Sequence, residues 1–174
     1  GNPMLDAEAN RELFEEQVEV ILKAFREESF SHRGKRYTIP PDVPYRGYAL
    51  KEITLVPRPL RRPVEVWQPI VSGGARGLEF MARHGIKGII SATAEELVQR
   101  WARDYQATAG RHGRDLALGE DLILGFRMCI DDTVEAAIER ARPYFEEHAK
   151  VMAPLGMLRY SEEHVRAVGG RPAP

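Results

Sequence analysis

The sequence predicts an α/β fold in which about three short parallel strands alternate with helices, preceded by a hairpin and a proline-rich excursion. Three observations carry that expectation. Apolar residues recur at helical spacing in four stretches, a β-branched or alternating run of strand length precedes each of the last three, and glycines punctuate the junctions. With 174 residues, 43% of them apolar and 29% charged, the chain is long enough for one domain built on one core.

The first element runs from about Ala7 to Glu28. There Phe14, Val18, Ile21 and Phe25 form a stripe that Leu13 and Leu22 widen, while Glu12, Glu15, Glu16, Glu19, Lys23 and Arg26 form a solvated face. Ser29 to Ile39 reads as a small hairpin around Gly34. Prolines at 40, 41, 44, 57, 59 and 63 then fix φ repeatedly and predict an ordered surface excursion, with a lid or substrate-contacting loop as the alternative.

Val64 to Val71 is rich in β-branched residues and predicts a strand, which ends at Ser72-Gly73-Gly74 before Leu78, Met81 and Ala82 resume helical spacing up to Gly85. Gly85 to Ile90 suits a second buried strand. Thr93 and Glu96 form a capping box for a helix that carries Leu97, Val98, Trp101 and Tyr105 on one face and closes at Gly110 as its C′ residue. Leu122, Leu124, Phe126, Met128 and Ile130 alternate as a third strand. Asp132 to Glu135 cap a last helix with Ile138, Ala141, Phe145 and Met152, which Pro143 is expected to kink or divide.

Composition excludes several functions. Lys and Arg number 25 against 26 Asp and Glu, a formal charge of -1, so the chain lacks the basic field of a nucleic-acid binder. No apolar run approaches the ~20 residues of a membrane span. The single cysteine, Cys129, permits no intramolecular disulfide, reads as a small buried hydrophobe, and fits a reducing compartment, so the expected location is cytoplasmic. Among the five histidines, the runs Glu146-Glu147-His148 and Glu162-Glu163-His164 place neighbours on different helix directions, so no metal is expected. His32 reads as an exposed hairpin residue and His84 as a cation at a helix C-terminus.

The strongest site signal is Val71-Ser72-Gly73-Gly74-Ala75-Arg76 at the first strand-to-helix junction. Glycines let a ligand approach the backbone, the first helical amides and the helix dipole attract an anion, and Ser72 and Arg76 add a hydroxyl and a guanidinium. A phosphate is the natural guest. On pattern alone the same residues suit a glycine turn that holds no ligand better than a site, since such turns are common and neither the P-loop ending Gly-Lys-Ser/Thr nor the dinucleotide Gly-x-Gly-x-x-Gly is present. No catalytic residue stands out.

Several segments together resemble a known family. Phe14-Glu15-Glu16-Gln17 through Phe25, the hairpin Phe30-Ser31-His32-Arg33-Gly34-Lys35-Arg36-Tyr37, the Val56-Pro57-Arg58-Pro59 excursion and the strand Val64-Glu65-Val66-Trp67 into the small-residue turn follow the order seen in luciferase-like flavin-dependent monooxygenases of the bacterial luciferase and alkanesulfonate monooxygenase type. The likeness extends over about residues 9 to 155.

The resemblance implies a TIM-type (β/α)8 barrel that binds reduced FMN, supplied by a separate flavin reductase, and uses O2 to oxidise a small organic substrate. A deazaflavin replaces FMN in some relatives. It also implies that Val71, Ser72, Gly73, Gly74, Ala75 and Arg76 hold the flavin phosphate, although Gly73 and Gly74 stand where serines are common. Such a barrel takes ~250 residues, so the chain is expected to be a C-terminal fragment, with residues 1–168 a partial barrel and 169–174 a frayed tail. The alternatives are a shortened relative completing its sheet as a homo-oligomer, a non-catalytic flavin-binding half-barrel, or a deazaflavin-dependent oxidoreductase.

Overall fold

The computed structural model of the chain describes residues 6–71, 73–91, 95–125 and 128–154. They fall into two compact units, Gly1–Glu65 and Val66–Pro174. The predicted positions Ser72, Thr93, Phe126, Glu162, Glu163 and His164, and the tail 169–174, lie outside the described residues.

In the first unit, helix α1 (Ala7–Arg26) starts at the N-cap Asp6, whose side chain accepts from the Ala9 N–H, and ends with Lys23 and Arg26 in its last turn. That charge order suits the helix dipole. Its fully buried residues are Leu22 and Ala24, whereas Ile21 of the predicted stripe is 48% exposed. Strands β1 (His32–Arg33) and β2 (Thr38–Ile39) form the expected antiparallel hairpin, His32 opposite Ile39. Buried Phe30 exchanges backbone hydrogen bonds of 2.9 and 3.0 Å with Ile53.

The proline-rich excursion is ordered and carries a hairpin that proline spacing does not reveal. Strands β3 (Pro44–Tyr45) and β4 (Tyr48–Ala49) pair through Arg46 and Gly47, both at positive φ, as a two-residue turn of the primed type requires. Arg58 Nη1 donates to the carbonyls of Glu27 and Glu28, satisfying acceptors left by the end of α1.

Glu16 corrects the expected solvated face of α1. Its side chain is 12% exposed, and its carboxylate accepts from the backbone N–H of Tyr37 at 2.9 Å and Arg36 at 3.0 Å and meets His32 Nε2 at 3.1 Å. His32, expected in solvent, is 16% exposed for the same reason. The carboxylate and the imidazole close in on Gly34, where a Cβ would collide with both. Burial alone would raise the Glu16 carboxyl, but the hydrogen bonds from His32, Tyr37 and Arg36 outweigh it and hold the group below the ordinary 4.5.

A depressed folded-state value means that stability is present above 4.5 and is lost as the pH falls through the lower folded value. The Glu16→Gln variant should therefore melt below the native chain at neutral pH, with the difference shrinking as both are acidified below pH 4.5. A difference in melting temperature that is constant from neutral to acid pH contradicts this assignment.

The second unit is built on β5 (Trp67–Pro69), α2 (Ala75–His84), β6 (Lys87–Ser91), α3 (Glu95–Arg111), β7 (Leu122–Gly125) and α4 (Val134–Met152). The three strands are parallel in the order β5-β6-β7, with Gln68 beside Gly88 and Gly88 beside Leu122. The Ile70 N–H donates to the Ile89 carbonyl and the Val66 carbonyl accepts from Lys87. Pro69 therefore turns its missing N–H away from β6, where it costs no ladder bond. One sheet face buries Ile90 and Gly88, and α2 and α3 bury Leu78, Phe80, Met81, Leu97, Trp101 and Tyr105.

Gly85, at φ 71, ends α2 as expected, and the Ile86 N–H reaches back to the Met81 carbonyl at 2.8 Å. Helix α3 passes through the predicted stop at Gly110 to Arg111. The left-handed residue is Gly113, and Arg114 N–H to Ala109 O with Gly113 N–H to Gly110 O completes a Schellman closure.

Three further expectations are corrected. The third strand is described over Leu122–Gly125, paired with β6 as far as Ser91; Met128 and Ile130 lie outside any strand and are more than 80% exposed, and Cys129 is exposed rather than buried. Helix α4, capped by the Thr133 side chain accepting from the Ala136 N–H, continues across Pro143 and is not divided there. Its apolar residues find no core: Ile138 is 52% and Phe145 44% exposed. No described helix is long and apolar enough to cross a membrane.

Candidate functional site

The two ends of the parallel sheet differ in chemistry. At the N-terminal ends of the strands, charged groups are tied together: Asp121, at φ 60 just before β7, holds Lys87 of β6 at 3.1 Å and Arg114 at 2.5 Å. Arg114 also reaches the Tyr105 hydroxyl, which donates to the Ile86 carbonyl at 2.8 Å, and Lys87 lies over the Trp67 ring. Asp121, Lys87, Arg114 and Tyr105 are thus tied to one another and to the Ile86 carbonyl, so this end joins α3 to the strands.

The other end is glycine-lined. The chain leaves β5 through Val71, which is 54% exposed, and reaches α2 through Gly73 at φ 61 and the N-cap Gly74 at φ -62, ψ 135. Gly74 brings no side-chain cap, and the first turn of α2 has no acidic residue while its last turn carries Arg83 and His84. The first helical rung is Leu78 N–H to Gly74 O at 3.1 Å. The N–H groups of Ala75, Arg76 and Gly77 precede it and have no acceptor within the helix, which with the dipole gives this end a partial positive charge. Gly74, Ala75 and Arg76 are exposed, so an anion can approach.

The structure thus places Val71, Gly73, Gly74, Ala75 and Arg76 in succession at the carboxyl end of a parallel strand, where ligands of such sheets bind. The donors present fit a phosphate: backbone amides, a guanidinium, no nearby first-turn carboxylate and no side chain at Gly74 to block approach. Trp101 is the residue that sequence reasoning left out. Helical periodicity put it on the apolar face of α3, but only the fold shows its indole filling the space beside Gly73.

None of the turn residues lines the cavity of about 370 Å3 bounded by Met128, Cys129, Arg140, Ala141, Tyr144 and Phe145. The Arg140 guanidinium there is paired with Asp131 at 3.0 Å. Among the described residues no His, Cys, Asp and Glu side chains cluster as a metal site. His84 lies with its ring 4.6 Å from that of Phe80, and His148 stacks on Tyr144.

Comparison with solved structures gives the same fold on longer chains. A monooxygenase from Streptomyces bottropensis is similar at a TM-score of 0.65 and 20% identity over 91% of this chain and 44% of its own. The oxygenating constituent of 3,6-diketocamphane monooxygenase from the CAM plasmid of Pseudomonas putida, a type II Baeyer–Villiger monooxygenase in complex with FMN, is similar at 0.60 and 14% over 93% of this chain and 45% of its own. The chain spans less than half the length of either. No curated sequence matches it. The sequence pattern of the luciferase-like monooxygenases matches residues 1–170, and the chain belongs to that family.

Proposed function

We propose that this chain forms part of a flavin-dependent monooxygenase that uses reduced FMN and O2 on a small organic substrate, with the turn Val71 to Arg76 holding the FMN phosphate. The observation that carries the reading is the N-terminus of α2 at the carboxyl end of β5, where Gly74 makes no side-chain cap and the first turn has no acidic residue, in a chain of this family. The FMN complex of the Pseudomonas putida relative supports the choice of cofactor.

In this reading Gly73 and Gly74 let the phosphate reach the backbone, the Ala75, Arg76 and Gly77 amides donate to it, and the Arg76 guanidinium adds a charge-assisted contact. Ser72 adds a hydroxyl donor. When bound, the reduced flavin supplies the reaction with O2, and the protein contributes position and shelter from water. A flavin reductase supplies the reduced cofactor. Self-association is part of the proposal, supported by the exposed apolar residues of α4.

Oxygen uptake with enzymatically reduced FMN tests the activity. Uptake that rises with an added organic substrate is expected, whereas FMN binding without substrate-dependent uptake identifies a non-catalytic flavin-binding module. Tighter binding of a deazaflavin than of FMN would move the chain to hydride-transfer chemistry.

A further inference from the structure

Gly73 and Gly74 are adjacent and look equivalent in sequence, yet only Gly73 has the left-handed backbone that demands glycine. Gly74 has φ -62 and ψ 135, an extended conformation open to any residue, and is exposed. Gly73 has φ 61, and the position of a Cβ there is taken by the pyrrole edge of the Trp101 indole, Nε1 and Cδ1 being the nearest atoms. Trp101 is 2% exposed on α3, in a helix face that also buries Leu97 and Tyr105. A ring enclosed in that way does not swing aside.

We infer that Trp101 is the positioning residue of the turn: its core-locked indole presses on Gly73 and fixes the left-handed kink that sets how the chain leaves β5 and enters α2. This rests on the reading that the turn holds the FMN phosphate. A ligand that needs several amides at one point is sensitive to sub-ångström errors in their placement. Trp101 therefore acts on the phosphate through Gly73 and not by touching the flavin ring.

That distinction supplies the test. Riboflavin carries the ring system without the phosphate, so the ratio of riboflavin to FMN dissociation constants measures the phosphate contribution alone. In Trp101→Leu, with folding verified by circular dichroism, riboflavin affinity should change little while the FMN advantage falls about tenfold. Trp101→Phe, which keeps a flat ring in the core, should restore part of it.

A native ratio in both variants overturns the inference, and Trp101→Phe alone decides the matter if the leucine variant does not fold. A native chain with no preference for FMN over riboflavin overturns the phosphate reading itself, a different outcome. A second readout needs no flavin: in Trp67→Phe, where Trp101 is the remaining tryptophan, inorganic phosphate should shift its emission, and an unchanged spectrum at saturating phosphate counts against the inference.

Discussion

Replacing Gly74 by Asp should abolish most FMN binding while leaving the fold as stable as before or more so. The position has extended backbone angles and no left-handed strain, is exposed, and is the N-cap of α2. Aspartate is among the best N-cap residues, and its charge is favourable at a helix N-terminus, so α2 should gain about 0.5 kcal/mol.

The same carboxylate stands where the phosphate is proposed to sit. Two unit charges about 4 Å apart repel by about 4 kcal/mol at an effective dielectric of about 20, and exposure of this turn reduces that figure. About 3 kcal/mol remains, which is roughly a hundredfold in affinity. Titration of flavin fluorescence with native and Gly74→Asp protein, alongside thermal melts, checks both halves. Weakened FMN binding with an unchanged or raised melting temperature is expected; native affinity in the variant places the phosphate elsewhere.

The opposite substitution pattern is expected at the other end of the sheet. Asp121 is 17% exposed at its side chain and is the common partner of Lys87 and Arg114, which are themselves 30% and 24% exposed. Asp121→Asn keeps the size and the tolerance of positive φ but removes the charge, leaving two half-buried cations facing each other across a neutral amide. A loss of about 2 kcal/mol, or a melting temperature lower by about 5 °C for a chain of this size, should follow. FMN affinity of the folded variant should stay within about twofold of native, because the change lies at the amino ends of the strands. A variant that instead loses FMN and keeps its stability would reverse the assignment of the two ends.

The regular elements were legible because they are written as periodicity. Leu78, Met81 and Ala82 located α2, and Gly85 its end, since a left-handed C′ residue leaves a local mark. Partners chosen across the fold leave none. The alternation through Ile130 is a strand pattern, yet Met128 and Ile130 lie outside any described strand and are exposed, because alternation does not encode the neighbour that a strand needs. Glu16 sits in a charged stripe that reads as solvated, and only the return of the hairpin brings the N–H groups of Arg36 and Tyr37 to it.

The candidate turn shows the same division. Its glycines and its position after a β-branched strand are sequence features, and they pointed to the amides that the fold then aligned at the start of α2. What fills the space beside Gly73 is a residue 28 positions later, Trp101, whose closeness is set by packing of α3 and not by any local pattern. Catalytic residues leave no such mark in this chain.

The central claim, that the turn at the carboxyl end of β5 takes the flavin phosphate, is tested most directly by the amide proton–nitrogen NMR spectrum of the labelled 19.7 kDa chain during parallel titrations with FMN and with riboflavin. The account predicts that the resonances of Gly73, Gly74, Ala75 and Arg76 move with FMN and stay nearly fixed with riboflavin. Resonances that hold still in both titrations, or respond equally to the two flavins, contradict it.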